Sequence, residues 1–102
     1  MPKMPRYTVL LVDDHAVVRR GLRAVLEDEL GDVEVSEAGT AKEGIDSLRQ
    51  NTPDALILDI GLPDRNGLDL LKSIRSEWPD LPVLVLSMFD ESQYGVRMIK
   101  AG

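Results

Sequence analysis

The pattern of apolar and polar residues divides the chain into short apolar runs separated by amphipathic stretches. ALIL (55–58) and VLVL (83–86) are continuously apolar, which is typical of strands covered on both faces of a parallel sheet. YTVLLV (7–12) is a third apolar run, and VEVSEAG (33–39) alternates as a half-covered strand does. The pattern therefore predicts four strands.

The stretches that follow each run have the periodicity of amphipathic helices. TAKEGIDSLRQ (40–50) starts with Thr40, and Glu43 comes three positions later, which is the capping-box pattern. A third helix within 66–82 ends before Pro79, and a fourth helix is predicted from about Glu91. The first helix lies within 15–30. The predicted apolar faces are Val18, Leu22, Val25, Leu26 and Leu30 in the first helix, Ala41, Ile45 and Leu48 in the second, and Leu71, Ile74 and Trp78 in the third.

Strands and helices that alternate in this way predict an α/β fold built from right-handed βαβ units. The expected architecture is a doubly wound parallel sheet with strand order 2-1-3-4. In such sheets, ligands bind beyond the carboxyl ends of the strands, at the point where the strand order reverses. The residues that directly follow the first and third strands are therefore the candidates for a functional site.

Composition narrows the class of protein. The 102 residues are enough for one small domain, and the net charge of −6 argues against direct binding to nucleic acid or to an anionic membrane. The chain has no cysteine, so disulfides and thiolate metal sites are excluded, and a reducing cytoplasmic location is expected. No apolar run approaches the length of a membrane span. Residues 1–6 are interpreted as a flexible lead.

Acidic residues follow two of the predicted central strands. Asp13 and Asp14 end the first strand, Asp59 ends the third, and Ser87 ends the fourth. Carboxylates that meet in one pocket repel each other unless a cation joins them, and Mg²⁺ suits oxygen ligands. Mg²⁺ together with a carboxylate nucleophile supplies most of what phosphoryl transfer requires. His15 is interpreted as the start of the first helix, and Asp14 is considered as its cap.

Three segments carry a resemblance to a known family: LLVDDHAVVRRGL, ALILDIGLPDRNGLDLLKSIR and VLVLSMFDE. They resemble the receiver domain of bacterial two-component response regulators, of the NarL/FixJ-like group with a LuxR-type output. The resemblance covers residues 7–102. It implies a flavodoxin-like sheet of order 2-1-3-4(-5), truncated here before the fifth strand and fifth helix, so that an incomplete receiver domain extends through the fourth helix.

The resemblance assigns a phosphoryl site to the strand ends. Asp59 matches the phospho-accepting aspartate. Asp14 matches a direct ligand of Mg²⁺ (or Mn²⁺), Asp13 matches a ligand that acts through water, and Gly61 matches a ligand through its backbone carbonyl. The family's phosphate-pairing lysine matches no residue of this chain, because Lys100 is interpreted as part of the fourth helix.

The resemblance also assigns residues around that site. Ser87 matches the switch hydroxyl, and Pro63 and Gly67 match the residues that shape the loop after the acceptor. Met88 and Phe89 are expected to govern access to the site and to belong to the switch loop. The apolar edge of VLVL (83–86) is expected to be covered by residues beyond this sequence or by a neighbouring chain.

The resulting functional expectation is a cytoplasmic signalling domain that catalyses only its own phosphorylation and dephosphorylation. A sensor histidine kinase would phosphorylate Asp59, and the altered domain would dimerise near the fourth strand and helix or release a DNA-binding helix-turn-helix domain outside this sequence. Two alternatives remain open: a Mg²⁺-dependent phosphohydrolase with an Asp nucleophile, and a phosphate-independent pseudo-receiver. A Rossmann nucleotide site is disfavoured, since no G-x-G-x-x-G follows the first strand.

Overall fold

The computed structural model describes the backbone of residues 7–88 and 96–101, with side chains described through Leu86. The predicted flexible lead (1–6) and Phe89 lie outside the described residues. The elements are β1 (Tyr7–Val12), α1 (Ala16–Leu30), β2 (Val33–Ala38), α2 (Ala41–Gln50), β3 (Ala55–Asp59), α3 (Gly67–Glu77), β4 (Val83–Met88) and β5 (Val96–Ala101).

The sheet has the strand order β2-β1-β3-β4-β5. Strands β1 to β4 pair in parallel, with Val12 opposite Leu58 and Asp59 opposite Leu86. The prediction of a parallel sheet with order 2-1-3-4 is confirmed. Strands β1 and β3 are neighbours, so the residues that follow them meet at the carboxyl edge of the sheet, where the strand order reverses.

Strand β5 corrects the prediction of a fourth helix. Residues Val96–Ala101 run antiparallel to β4 along its whole length, with Lys100 opposite Leu84. Strand pairing satisfies the free N–H and C=O groups on the edge of β4. The prediction that this edge is covered from outside the chain is therefore also wrong, and Lys100 lies in a strand.

Side chains of the central strands alternate between two apolar clusters, one on each face of the sheet. On one face, Leu10 and Leu58 belong to the cluster that packs with α2 and α3. On the other face, Leu11 and Ile57 pack with Leu22 and Leu26 of α1. Val83 and Val85 of β4 belong to the first cluster, and Leu84 and Leu86 pack in the second. Both faces of β3 and β4 are therefore covered, as their continuous apolar runs predicted.

The predicted helix faces are confirmed for α2 and α3 and only partly for α1. Ala41 and Leu48 of α2 are buried, and Ile45 packs against the same cluster. In α3 the predicted Ile74 is buried, the predicted Leu71 and Trp78 pack against the same cluster, and Leu70 is buried as well. In α1 the predicted Val25 and Leu30 are exposed. Within the described part of the chain, none of the helices is both long and apolar enough to cross a bilayer.

Candidate functional site

Asp13 and Asp59 are buried at the carboxyl edge of the sheet. Asp13 continues the alternation of Val9 and Leu11, and Asp59 continues that of Ile57, so both follow on from strand positions on the α1 face. Their exposed fractions are 2% for Asp13 and 3% for Asp59. Burial of two carboxylates is costly unless hydrogen bonds or a cation compensate them, so this edge of the sheet is chemically distinct from the surrounding core.

Four side chains converge there into an acidic cluster. One ligand atom from each of Asp13, Asp14, His15 and Asp59 lies within 4.8 Å of all the others. Asp14 is more exposed than Asp13 and Asp59, so it faces the mouth of the cluster. The structure therefore brings together the three acids that the sequence placed at strand ends.

His15 belongs to this cluster, which the sequence interpretation did not predict. Its Nδ1 lies 3.0 Å from Asp13 Oδ1 and 3.0 Å from Asp14 Oδ1, and 3.8 Å from Asp59 Oδ2. His15 is also the N-cap residue of α1, so the expectation that it starts the helix is confirmed. The suggestion that Asp14 is the cap is wrong, because the chain is still extended at His15.

Burial and the close acidic groups shift the pKa values of Asp59 and His15. Burial raises the pKa of the Asp59 carboxyl, and the negative charges of Asp13 and Asp14 raise it further, against the opposing effects of the Gly61 N–H and of His15. The pKa of the His15 imidazole is raised, chiefly by its hydrogen bond to Asp13. Both shifts mean that the cluster favours an added positive charge.

Arginines of α1 hold the end of β1 in place beside this cluster. The Arg19 guanidinium donates to the backbone carbonyl of Asp13 and its Nε donates to Glu37 at 2.9 Å. Arg23 pairs with the same Glu37 at 2.9 Å and donates to the carbonyl of Val35. Their spacing in the sequence indicates only the polar face of α1, so this role of the arginines is not predictable from the sequence alone.

The loop between Asp59 and α3 is fixed at several points. The Gly61 N–H donates to Asp59 Oδ1 at 2.9 Å, which sets the rotamer of the carboxylate. Asp64 accepts hydrogen bonds from the backbone N–H groups of Ala41 and Lys42 in α2. A Cβ at Gly67 would lie 2.2 Å from the Cα of Ile60, so only glycine fits there. Pro63 is an exposed residue of the same loop.

The remaining predicted residues lie on β4. Leu86 is opposite Asp59 in the sheet register, and Ser87 is the next residue of the strand, followed by Met88. The backbone therefore brings Ser87 to the same edge of the sheet as the acidic cluster. Of the predicted site residues, Asp13, Asp14 and Asp59 are in direct proximity, Gly61 contacts Asp59 through its N–H, and Ser87 and Met88 are placed by strand register.

The donor set of the cluster fits a divalent cation. Three carboxylates from two neighbouring strands offer the oxygen ligands that Mg²⁺ and Mn²⁺ prefer, and the partly exposed position leaves room for water or phosphate oxygens. A cation would also offset the repulsion that raises the pKa of Asp59. The site is therefore suited to a carboxylate nucleophile that works beside a metal ion.

A family comparison agrees with this fold. The model of the response regulator receiver domain matches residues 9–102. The chain belongs to the response regulator receiver domains, which are signalling domains of two-component systems.

Curated relatives and solved structures place the chain near transcriptional regulators of the NarL/FixJ type. It is 39% identical over 95 residues to the transcriptional regulatory protein MctR of Rhizobium johnstonii, covering 92% of this chain and 44% of MctR. It is 43% identical over 96 residues to the DNA-binding transcriptional activator DevR/DosR of Mycobacterium tuberculosis, covering 92% of this chain and 43% of that relative. The chain thus spans less than half the length of these relatives.

A solved structure shows the same likeness in three dimensions. The isolated receiver domain of RcsB from Salmonella enterica serovar Typhimurium, determined with the phosphomimetic BeF3⁻, has a TM-score of 0.75 and 30% identity to this chain. The match covers 83% of this chain and 64% of that one. At this level of identity and overlap, the comparison supports both the fold and the family.

Proposed function

We propose that Asp59 is the residue of this receiver domain that accepts a phosphoryl group. The observation that carries the proposal is the position of Asp59: a buried carboxylate at the end of a central strand, beside Asp13 and with its rotamer fixed by the Gly61 N–H. A carboxylate held in this way is oriented for attack with little reorganisation. The remaining members of the cluster surround it on the side where a cation would bind.

The proposed reaction is a single displacement at phosphorus. An oxygen of the Asp59 carboxylate attacks the phosphoryl group of a phosphohistidine on a sensor kinase, the P–N bond breaks, and an acyl phosphate forms while a proton goes to the departing imidazole. Transfer from a small donor such as acetyl phosphate breaks a P–O bond instead and releases acetate. Hydrolysis of the acyl phosphate by water restores Asp59.

Asp13, Asp14 and Asp59, together with the backbone carbonyl of Gly61, would hold Mg²⁺ or Mn²⁺. The ion supplies charge neutralisation for the incoming phosphoryl oxygens. The protein supplies the geometry: Arg19 fixes the end of β1 through the Asp13 carbonyl, and the hydrogen bond from Gly61 fixes Asp59.

The proposed signalling response follows from the negative charge that phosphorylation adds at Asp59. A phosphoryl group on Asp59 adds negative charge next to the strand end that bears Ser87, and the Ser87 hydroxyl would bond it. Met88 and Phe89 would govern access to the site, and Pro63 and Gly67 would shape the facing loop. Phosphorylation would shift the domain toward a second conformation, which would dimerise near β4 or release a DNA-binding domain outside this sequence. We place this switch in the cytoplasm.

The phosphohydrolase alternative is less well supported. A second acid two residues after the nucleophile would help such an enzyme to protonate a leaving group, and this position is Gly61, whose N–H binds Asp59 instead. The proposal is therefore a signalling domain that phosphorylates and dephosphorylates only itself.

Labelling with radioactive acetyl phosphate in the presence and absence of Mg²⁺ tests the proposal. We expect one acid-stable, base-labile phosphoryl group per chain, which depends on Mg²⁺ and disappears in Asp59→Asn. The matched control is Asp46→Asn, an exposed acid of α2, which should label like the wild type. Labelling that persists in Asp59→Asn would refute the assignment. If neither the wild type nor the variants are labelled, a phosphate-independent module would be favoured.

A further inference from the structure

The His15 imidazole is a fourth donor in the acidic cluster, and the function proposed above does not use it. Nδ1 lies 3.0 Å from carboxylate oxygens of both Asp13 and Asp14. Two neighbouring ligands of one six-coordinate cation, each about 2.1 Å from the ion, lie about 3 Å apart. The imidazole nitrogen therefore has the spacing of a ligand relative to both acids.

The backbone fixes this position of the ring. The His15 N–H donates to Asp13 Oδ1 at 2.7 Å, and the His15 carbonyl accepts the first backbone hydrogen bond of α1 from Arg19 at 3.0 Å. His15 is thus tied to the cluster on one side and to the helix on the other. A donor anchored in this way loses little conformational freedom when it binds an ion.

An added imidazole ligand changes which metal ions the acidic cluster prefers. Three carboxylates alone suit a hard cation such as Mg²⁺, whereas an imidazole nitrogen adds little to Mg²⁺ and much to Co²⁺, Ni²⁺ or Zn²⁺. We propose that His15 is a nitrogen ligand of the cluster and shifts its preference from Mg²⁺ toward these transition metals. The inference rests on the proposed metal site at Asp13, Asp14 and Asp59 and names a further residue of that site.

As a ligand, Nδ1 would give up its hydrogen bond to Asp13 and offer its lone pair to the ion, and the imidazole would keep its remaining proton on Nε2. His15 is partly exposed, with 55% of its side chain accessible, so Nε2–H has access to water. The chain contains one histidine and no cysteine, and any imidazole signal from a bound metal therefore comes from His15.

Calorimetric titration with Mg²⁺ and with Co²⁺ tests the preference in the wild type, in His15→Phe and in His15→Asn. Asn is well suited to an N-cap position, so this second variant protects the start of α1. We expect both substitutions to weaken Co²⁺ binding about tenfold or more, and to change Mg²⁺ binding less than about twofold. Urea unfolding of the metal-free variants confirms that they fold.

A proton NMR spectrum of the Co²⁺-loaded chain gives the direct readout. We expect a strongly shifted resonance from a carbon-bound imidazole ring proton, absent from both variants. Its absence from the wild type, or unchanged Co²⁺ affinity in the variants, would overturn the inference while leaving the Mg²⁺ site intact. Tighter binding of both metals in the variants would also overturn it, because His15 would then be a competing cation. If neither metal binds the wild type, the proposed metal site fails as well.

Discussion

Asp64 and Ala41 are joined by a hydrogen bond across 23 positions of sequence: the Ala41 N–H donates to Asp64 Oδ1 at 2.9 Å. The second carboxylate oxygen accepts from Lys42 at 3.2 Å, and Thr40 accepts from Glu43 at 3.1 Å. Three of the backbone N–H groups that the first turn of α2 leaves without helical partners are therefore satisfied, two of them by a residue of the loop after Asp59.

Replacement of Asp64 by Asn tests this contact. The amide keeps the size of the side chain but loses the charge that favours the N-terminus of α2 and offers only one acceptor oxygen. We expect a lower midpoint of urea unfolding. Asp46→Asn, within α2 and away from its N-terminus, is the matched control and should change the midpoint little. Equal effects of the two substitutions would show that the Asp64 contact contributes nothing specific.

The same contact predicts an acid-sensitive part of the stability. Hydrogen bonds from Ala41 chiefly, and from Lys42, lower the pKa of the Asp64 carboxyl. Because the folded pKa lies below the unfolded value, this contribution is complete well above a pH of about 3.9 and is lost as the pH falls through the folded pKa. Unfolding midpoints measured from pH 7 to pH 2.5 should fall more steeply for the wild type than for Asp64→Asn below pH ~4. Parallel curves would contradict this assignment.

Gly67 and Gly21 form a pair of glycines with opposite predictions. At Gly67, an added Cβ would lie 2.2 Å from the Cα and 2.3 Å from the carbonyl oxygen of Ile60, so Gly67→Ala should destabilise the fold by about 2 kcal/mol or more. At Gly21 an added Cβ would meet no described atom within 4 Å beyond its chain neighbours and the backbone of its own helix, and Gly21→Ala within α1 should stabilise by about 0.5–1 kcal/mol. Urea unfolding of both variants measures the difference, and the same sign for both would be inconsistent with the packing described.

Asn66 caps α3 by accepting the N–H groups of Leu68 at 2.9 Å and of Asp69 at 3.2 Å. We expect Asn66→Ala to destabilise the domain by about 1 kcal/mol. Asn66→Asp keeps the acceptor and should retain most of the wild-type stability. The free energy of unfolding from urea titration distinguishes the two, and a loss of equal size in both would point to a cause other than capping.

Pairing of β5 with β4 predicts how the chain associates. Removal of residues 96–102 would expose the apolar edge of β4, since β5 covers it from Val83 to Met88. An unpaired strand edge of this composition is a template for pairing with another chain. We expect the shortened chain to self-associate at concentrations where the full chain does not, as measured by sedimentation velocity. Identical sedimentation of the two chains would argue against this pairing.

The sequence predicted the positions of the acids because that prediction depends on strands alone. ALIL and YTVLLV are long enough and apolar enough to fix β3 and β1 as buried strands, and Asp59 and Asp13 follow each of them directly. Neighbouring parallel strands then bring the two acids together without any knowledge of side-chain rotamers.

Other features depend on contacts that periodicity does not encode. The position of His15 is set by the hydrogen bond from its backbone N–H to Asp13, two residues earlier. The hydrogen bond from Ala41 to Asp64 joins the start of α2 to a loop 23 positions away in sequence. Residues 96–101 pair with β4 because that strand has an edge to satisfy, a tertiary effect that outweighs local helix propensity.

The attachments of the loop between Asp59 and α3 limit how its length can vary. It is bound at Asp64 to α2, at Asn66 to the first turn of α3, and at Gly67 against Ile60. Surface loops generally accept insertions and deletions, but here an inserted residue would break at least one attachment. The spacing from the acceptor to the third helix is therefore a fixed length, and natural variation in this domain should take the form of substitutions there rather than changes in loop length.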